Sequence, residues 1–302
     1  MSANFGGTPL AHTSLLHEWH ALLDRRPTFR GPLAPYEPII AAWVAWAGRS
    51  AGRTGALDWT AEACRERWGR GVPLLAEAPP PIEAIDVEAL AEPVLEALAL
   101  TGTDPQALQR FAEAWDASEV GPADLYPGRG RIGAVSVMAL TGLSQEALAF
   151  LACGCLRPPL ERYFADCQAY LGSTSDRHWD GGVCPCCGAP PGFTEFHEDG
   201  QRRLVCHLCG VTWTFSRLRC PYCGSQNPAD FVRLLAEDAE EGYAIFACKP
   251  CQGYLKELDR RLRWNVASAL VEDWGSPHLD LIAQRAGYWR AVPTLIQPQR
   301  PE

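Results

Sequence analysis

The sequence predicts a multi-part α+β chain: an all-α N-terminal helical domain, two tandem four-cysteine metal ribbons, and a C-terminal helix. Three observations predict it. Nine of the 13 cysteines fall between residues 184 and 251, and eight of those form four C-x-x-C pairs. The first 170 residues hold only Cys64, Cys153, Cys155 and Cys167. Between the two regions the hydrophobic period changes from helical spacing to short extended runs. We place the units at 1–172 (helical), 173–218 (first ribbon), 219–264 (second ribbon) and 265–302 (C-terminal helix and tail).

The helical elements follow in order. "PLAHTSLLHEWHALLDRR" sets Leu15, Leu16, Trp19, Leu22 and Leu23 near one face. "YEPIIAAWVAWAGRSAG" is apolar enough for a buried helix ending near Gly48. "DWTAEACRERWGRG" follows. In "DVEALAEPVLEALALTG", Pro93 should kink the helix or begin a new one. Asp104 and Pro105 make an N-cap and a first helical position. "LSQEALAFLACGCL" and "PPLERYFADCQAYLG" complete the set as two further helices. Loops are expected at "APPPIE" and "GPADLYPGRGR".

The polar stretch "STSDRHWDGGV" reads as a boundary. Beyond it "FTEFHE" and "RRLVC" are strands around the Asp199–Gly200 turn signal, and "VTWTFSR" is a third strand. "FVRLLAE", "YAIFAC" and "YLKELDR" repeat the pattern, so 184–218 and 220–260 are two copies of one unit. "NVASALVEDW" and "HLDLIAQRAGYWR" should be one or two helices packing on the rest, with a loose tail, "PTLIQPQRPE".

The cysteine pairs are Cys184/Cys187, Cys206/Cys209, Cys220/Cys223 and Cys248/Cys251. Eighteen residues separate the first two pairs, 24 the last two, and only 10 the middle two. A C-x-x-C turn puts two thiolates on one side of a metal, and a hairpin returns two more to complete a tetrahedron. The economical scheme is first with second and third with fourth. Pro185 and Pro221 preset the turns, while Gly188, Gly210 and Gly224 follow the second cysteine, where a positive φ aims N–H groups at sulfur. "CKPCQG" departs, with Gln252 in the glycine's place. All-sulfur sites suit zinc or a single iron, and ligand type alone leaves both open.

Other residues carry plainer readings. Cys186 occupies a variable turn position and reads as a spare, partly exposed thiol. Cys64, Cys153, Cys155 and Cys167 read as core packing. His207 points away from its turn as a surface residue, and His178 and His197 read as solvated. Trp213 anchors the first ribbon's core. Arg217 and Arg219 form a solvated face or a partner contact at the junction of the two sites.

Composition narrows the function. The net charge is −9, and residues 184–264 carry 10 basic against 10 acidic side chains, which argues against a nucleic-acid partner. No apolar run approaches the roughly 20 residues of a membrane span, so direct membrane insertion is not expected. The N-terminus lacks a secretory pattern, and a cytoplasmic location follows, where reduced thiols favour metal over disulfides. Four-thiolate sites leave no open position for hydrolytic catalysis. No P-loop or dinucleotide fingerprint occurs, and "GRGRIG" at 128–133 follows no strand. The chain is expected not to be an enzyme.

The run "CPCCG…RRLVCHLCGVTWTFSRLRCPYCG…CKPCQGYLKELD", followed by "LDLIAQRAGYWR", resembles the formate dehydrogenase accessory protein family, FdhE. The combination is specific: the Trp after the second pair, the Arg before the third, and Tyr-Leu-Lys after the fourth. The resemblance implies a cytoplasmic maturation factor acting on the catalytic subunit of respiratory formate dehydrogenase. It also implies rubredoxin-like ribbons that bind iron through Cys184, Cys187, Cys206, Cys209, Cys220, Cys223, Cys248 and Cys251. Zinc in place of iron stays open. The alternative readings are a rubredoxin-like electron-transfer protein and, less favoured, a zinc-ribbon nucleic-acid binder.

Overall fold

The structure is a computed structural model. It describes residues 12–49, 59–76, 82–126, 130–172, 179–236, 240–263 and 267–295. The boundary stretch at 173–178, the tail beyond 295 and His178 lie outside the described residues.

The N-terminal half is helical: α1 (His12–Arg25), α2 (Arg30–Leu33), α3 (Tyr36–Arg49), α4 (Ala61–Gly69) and α5 (Ala84–Leu100). They are followed by α6 (Pro105–Asp116), α7 (Gly130–Thr141), α8 (Gln145–Tyr163) and α9 (Ala165–Gly172). Short polar side chains start three of them. Thr60 accepts from the Ala63 N–H, Asp104 from Gln106 and Ser144 from Ala147.

Prolines divide this half less than the sequence predicts. Pro93 lies inside one helix, α5, whose Leu90, Val94 and Ala97 are buried. The two helices expected around residue 157 are a single α8 that runs through Pro158 and Pro159 and stops only at Phe164. The reason is local. Pro158 has no N–H for the Gly154 carbonyl, and the indole of Trp43 donates to that carbonyl at 2.7 Å instead. Gly154 also lets α5 approach, since a Cβ there would lie 2.5 Å from a methyl of Val94.

The second half forms β1 (Pro191–Phe196), β2 (Arg202–Cys206), β3 (Thr212–Phe215), β4 (Phe231–Leu234), β5 (Tyr243–Cys248) and β6 (Gly253–Asp259). Then come α10 (Ala269–Trp274), α11 (Pro277–Arg285) and a short β7 (Trp289–Arg290). Each repeat contributes an antiparallel three-stranded unit, with Gly200 at φ +72° turning β1 into β2. The two units share one sheet in the order β3-β2-β1-β6-β5-β4. They join through a parallel pairing of β1 and β6, Phe193 beside Lys256 through Phe196 beside Asp259. β7 pairs with the start of β6.

The C-terminal segment locks the halves together. Trp274 of α10 packs between Tyr36 and Trp43, at ring separations of 4.6 and 5.3 Å. The Tyr36 hydroxyl accepts from the Leu295 N–H at 2.9 Å. Two buried charge clusters tie the sheet to the helices. Arg26 forks onto Glu240 at 2.7 and 3.0 Å, and Glu272 accepts from Tyr243 at 2.6 Å and from Arg25 at 3.0 Å. In the other, Lys256 meets Asp273 at 3.0 Å and Asp280 at 2.7 Å, and Arg290 bonds both carboxylates.

This second cluster balances two cations against two anions, so losing one member leaves a buried charge unpaired. Burial opposes ionisation of Asp273, but Arg290 and Lys256 hold its carboxyl below the usual range. Its contribution is therefore complete above about pH 4 and lost as the pH falls through the lowered value. Asp273→Asn should cost about 3–5 kcal/mol at neutral pH. Urea titrations at a series of pH values should show this gap narrowing below about pH 4. A gap independent of pH would refute the assignment.

Candidate metal centres

Each hairpin carries its cysteines to one end. Cys184 and Cys187 precede β1, Cys206 ends β2 and Cys209 follows it. Cys220 and Cys223 precede β4, Cys248 ends β5 and Cys251 follows it. The structure gathers the eight sulfurs into two groups of four, Cys184/Cys187/Cys206/Cys209 and Cys220/Cys223/Cys248/Cys251, each within 4.8 Å. In the first group Cys184 lies 3.5 Å from Cys209, and Cys187 lies 3.4 Å from Cys206. In the second, Cys220 lies 3.7 Å from Cys251 and Cys223 lies 3.6 Å from Cys248. A tetrahedral ion with metal–sulfur bonds of about 2.3 Å separates its sulfurs by about 3.8 Å. Both groups could therefore hold one such ion.

The turns share a backbone. Gly188, Gly210 and Gly224 have φ of +76°, +70° and +77°. Gln252 adopts the same region at φ +56°, so the fourth turn keeps the geometry despite its side chain. Trp289 holds it there, donating from its backbone N–H to the Gln252 carbonyl at 2.8 Å and from its indole to the Cys251 carbonyl at 2.6 Å. Backbone N–H groups reach sulfur from Cys209 to Cys206 and from Gly253 to Cys251, both at 3.4 Å.

The two groups differ in their surroundings. All four cysteines of the first are buried, whereas Cys223 is exposed and Cys251 half-buried in the second. The helical half encloses the first. Its leading turn accepts from the Trp68 indole and the Leu74 N–H at the Pro185 carbonyl, both at 3.0 Å, and from the Leu75 N–H at Cys186. Its second turn rests on α8, where Arg157 donates to the His207 carbonyl at 2.7 Å and to that of Cys206 at 3.3 Å. Burial pushes the thiols of Cys187 and Cys209 well up. A bound cation would reverse this by stabilising thiolates.

Two expectations are corrected. Cys186 is fully buried rather than partly exposed, because its turn is pressed against the segment after α4. His207 is half-buried rather than a surface residue. Its Nδ1 lies 2.9 Å from the Pro190 carbonyl, and burial lowers its pKa to about 4, leaving a neutral ring that donates there. The other residues fall as follows. His197 pairs with Glu195 at 3.1 Å. Trp213 is buried and donates to the Gly181 carbonyl. Arg219 reaches Asp180 at 2.6 Å, and Arg217 covers the Phe196 ring. Cys64, Cys153, Cys155 and Cys167 are all buried. Arg157 carries no recognised motif, and its one signal in the sequence is a lone arginine within the apolar run "LACGCLRPPL", the mark of a buried cation.

No family model matches the chain. In sequence it is similar to a "Protein FdhE homolog" of Stutzerimonas stutzeri (strain A1501), 37% identical over 118 residues that cover 38% of each chain. A homolog of the same name from Pseudomonas aeruginosa is 32% identical, over 38% of this chain and 39% of that one. A third, from Aquifex aeolicus, is 28% identical over 51% of this chain and 53% of the relative. The matched stretch thus spans well under two thirds of these relatives. The fold resembles the crystal structure of the FdhE protein from Pseudomonas aeruginosa, with a TM-score of 0.60, 22% identity and 96% of both chains covered. The resemblance read from the cysteine motifs holds, in sequence over part of the chain and in fold over nearly all of it.

The contrast in burial predicts two rates of metal loss. With both centres loaded, a chelator should strip the second first, giving two phases of similar amplitude. Cys248→Ser should abolish the fast phase and Cys206→Ser the slow one. A single phase would refute the contrast in lability, and unchanged metal content in either variant would overturn the grouping.

Proposed function

We propose that this chain is an accessory factor for the maturation of respiratory formate dehydrogenase. In this reading it acts in the cytoplasm and is not itself an enzyme. It binds the catalytic subunit with the helical half and the cysteine-rich half together. The eight cysteines hold two iron ions, zinc being the alternative occupant. The observation that carries the reading is the pair of closed four-sulfur clusters within a fold like that of an FdhE protein. Four sulfurs per cluster leave no position for a substrate, which favours a binding role. When bound, either metal would fix the two turns of its unit, and iron would add one-electron exchange. The chain's own contribution is to hold the second turn of the first centre through Arg157 and the fourth turn through Trp289.

The test is affinity capture. The metal-loaded chain, tagged, should enrich a formate dehydrogenase catalytic subunit over an unrelated protein of similar size. Equal recovery of both would end the proposal.

A second reading, a rubredoxin-like electron carrier, is favoured by the exposure of Cys223, which gives a redox partner access to a ligand sulfur. Anaerobically purified protein should then show iron–thiolate absorption that bleaches on reduction. Zinc as the sole metal would rule this reading out.

A further inference from the structure

Three cysteines outside the two clusters meet behind the first one. Cys64 projects from α4 and Cys167 from α9, with their sulfurs 3.8 Å apart and both side chains fully buried. Cys186, in the leading turn of the first cluster, lies near enough to the Cys167 thiol to draw its pKa down. The two helices grip that unit at different points. On α4, Trp68 bonds the Pro185 carbonyl. On α9, Gln168 bonds both backbone groups of Thr212, accepting from the N–H at 2.7 Å and donating to the carbonyl at 3.1 Å. The two thiols face each other where α4 meets α9, so a bond between them would join the two helices.

We propose that Cys64 and Cys167 are a disulfide-forming pair, a reversible modification site separate from both four-cysteine clusters. The oxidant is a small hydroperoxide. One sulfur attacks the peroxide, the O–O bond breaks and a sulfenic acid and water form. The second sulfur then displaces the sulfenic oxygen as another water while the S–S bond forms. Overall two thiols lose two electrons and two protons, and one hydrogen peroxide becomes two waters. The sulfurs must close from 3.8 Å to about 2.05 Å. The bond closes a loop between residues 103 positions apart and joins the two helices that hold the first unit. A dithiol reverses it.

The experiment uses the full metal-loaded chain. It is exposed to hydrogen peroxide, denatured with an alkylating agent and no reductant, digested and mapped by mass spectrometry. The expected result is joint loss of alkylation at Cys64 and Cys167, a linked peptide containing both, full recovery after dithiothreitol and unchanged metal content. Cys64→Ala should leave Cys167 alkylatable after the same treatment. Oxidation of cluster cysteines while Cys64 and Cys167 stay free would overturn the proposal. So would a Cys167–Cys186 link in place of the expected one, or protection of Cys167 in Cys64→Ala.

Discussion

Four sulfurs held within 4.8 Å of one another, twice in one chain, set the terms for everything around them. Ionised thiols at that spacing repel, and protonated ones make only weak S–H···S contacts. The turns concentrate the sulfurs by placing a residue of positive φ after the second cysteine, even where that residue is Gln252. Hairpins then return the partner turn at the right height. A divalent or trivalent cation would resolve the repulsion that this arrangement creates, and each group could hold one.

The helical half treats the two clusters unequally. The first is walled in by Trp68, the segment at 74–75 and Arg157, whose donations go to carbonyls of the turns rather than to sulfur. Such contacts fix where the sulfurs sit without engaging the sulfurs themselves. The second cluster is supported from its own sheet and by Trp289, and keeps one sulfur in contact with solvent. A buried, rigidly framed centre suits a structural role, while an exposed one can be reached by another molecule.

Much of this was legible in the sequence, and the reasons for the exceptions are physical. The grouping of cysteines followed from the 18, 10 and 24 residues between pairs, because loop length alone limits which turns can meet. Asp104 and the Asp199–Gly200 turn announced themselves through local chemistry. What escaped was tertiary. Pro158 reads as a helix break until Trp43, more than a hundred residues away in sequence, is seen to satisfy the carbonyl it orphans. Cys186 reads as exposed until residues 74–75 cover it. The parallel join of β1 and β6 has no signature in either strand, and the seating of Trp274 against Tyr36 and Trp43 depends on both ends of the chain.

The sheet order has one more consequence. Numbered within each repeat, the strands run third, second, first, then third, second, first. The units are thus joined head to tail, and a join of that kind leaves a complementary edge at each end. The free edges, β3 and β4, stand in the same relation as the edges already paired, so another copy of the module would find a matching border at either side. The side-chain amide of Gln168 occupies one border by imitating a neighbouring strand at Thr212. The other is only four residues long and carries Arg233, turned toward Glu257. A helix glutamine and a short charged strand therefore cap a repeat that could otherwise extend from molecule to molecule.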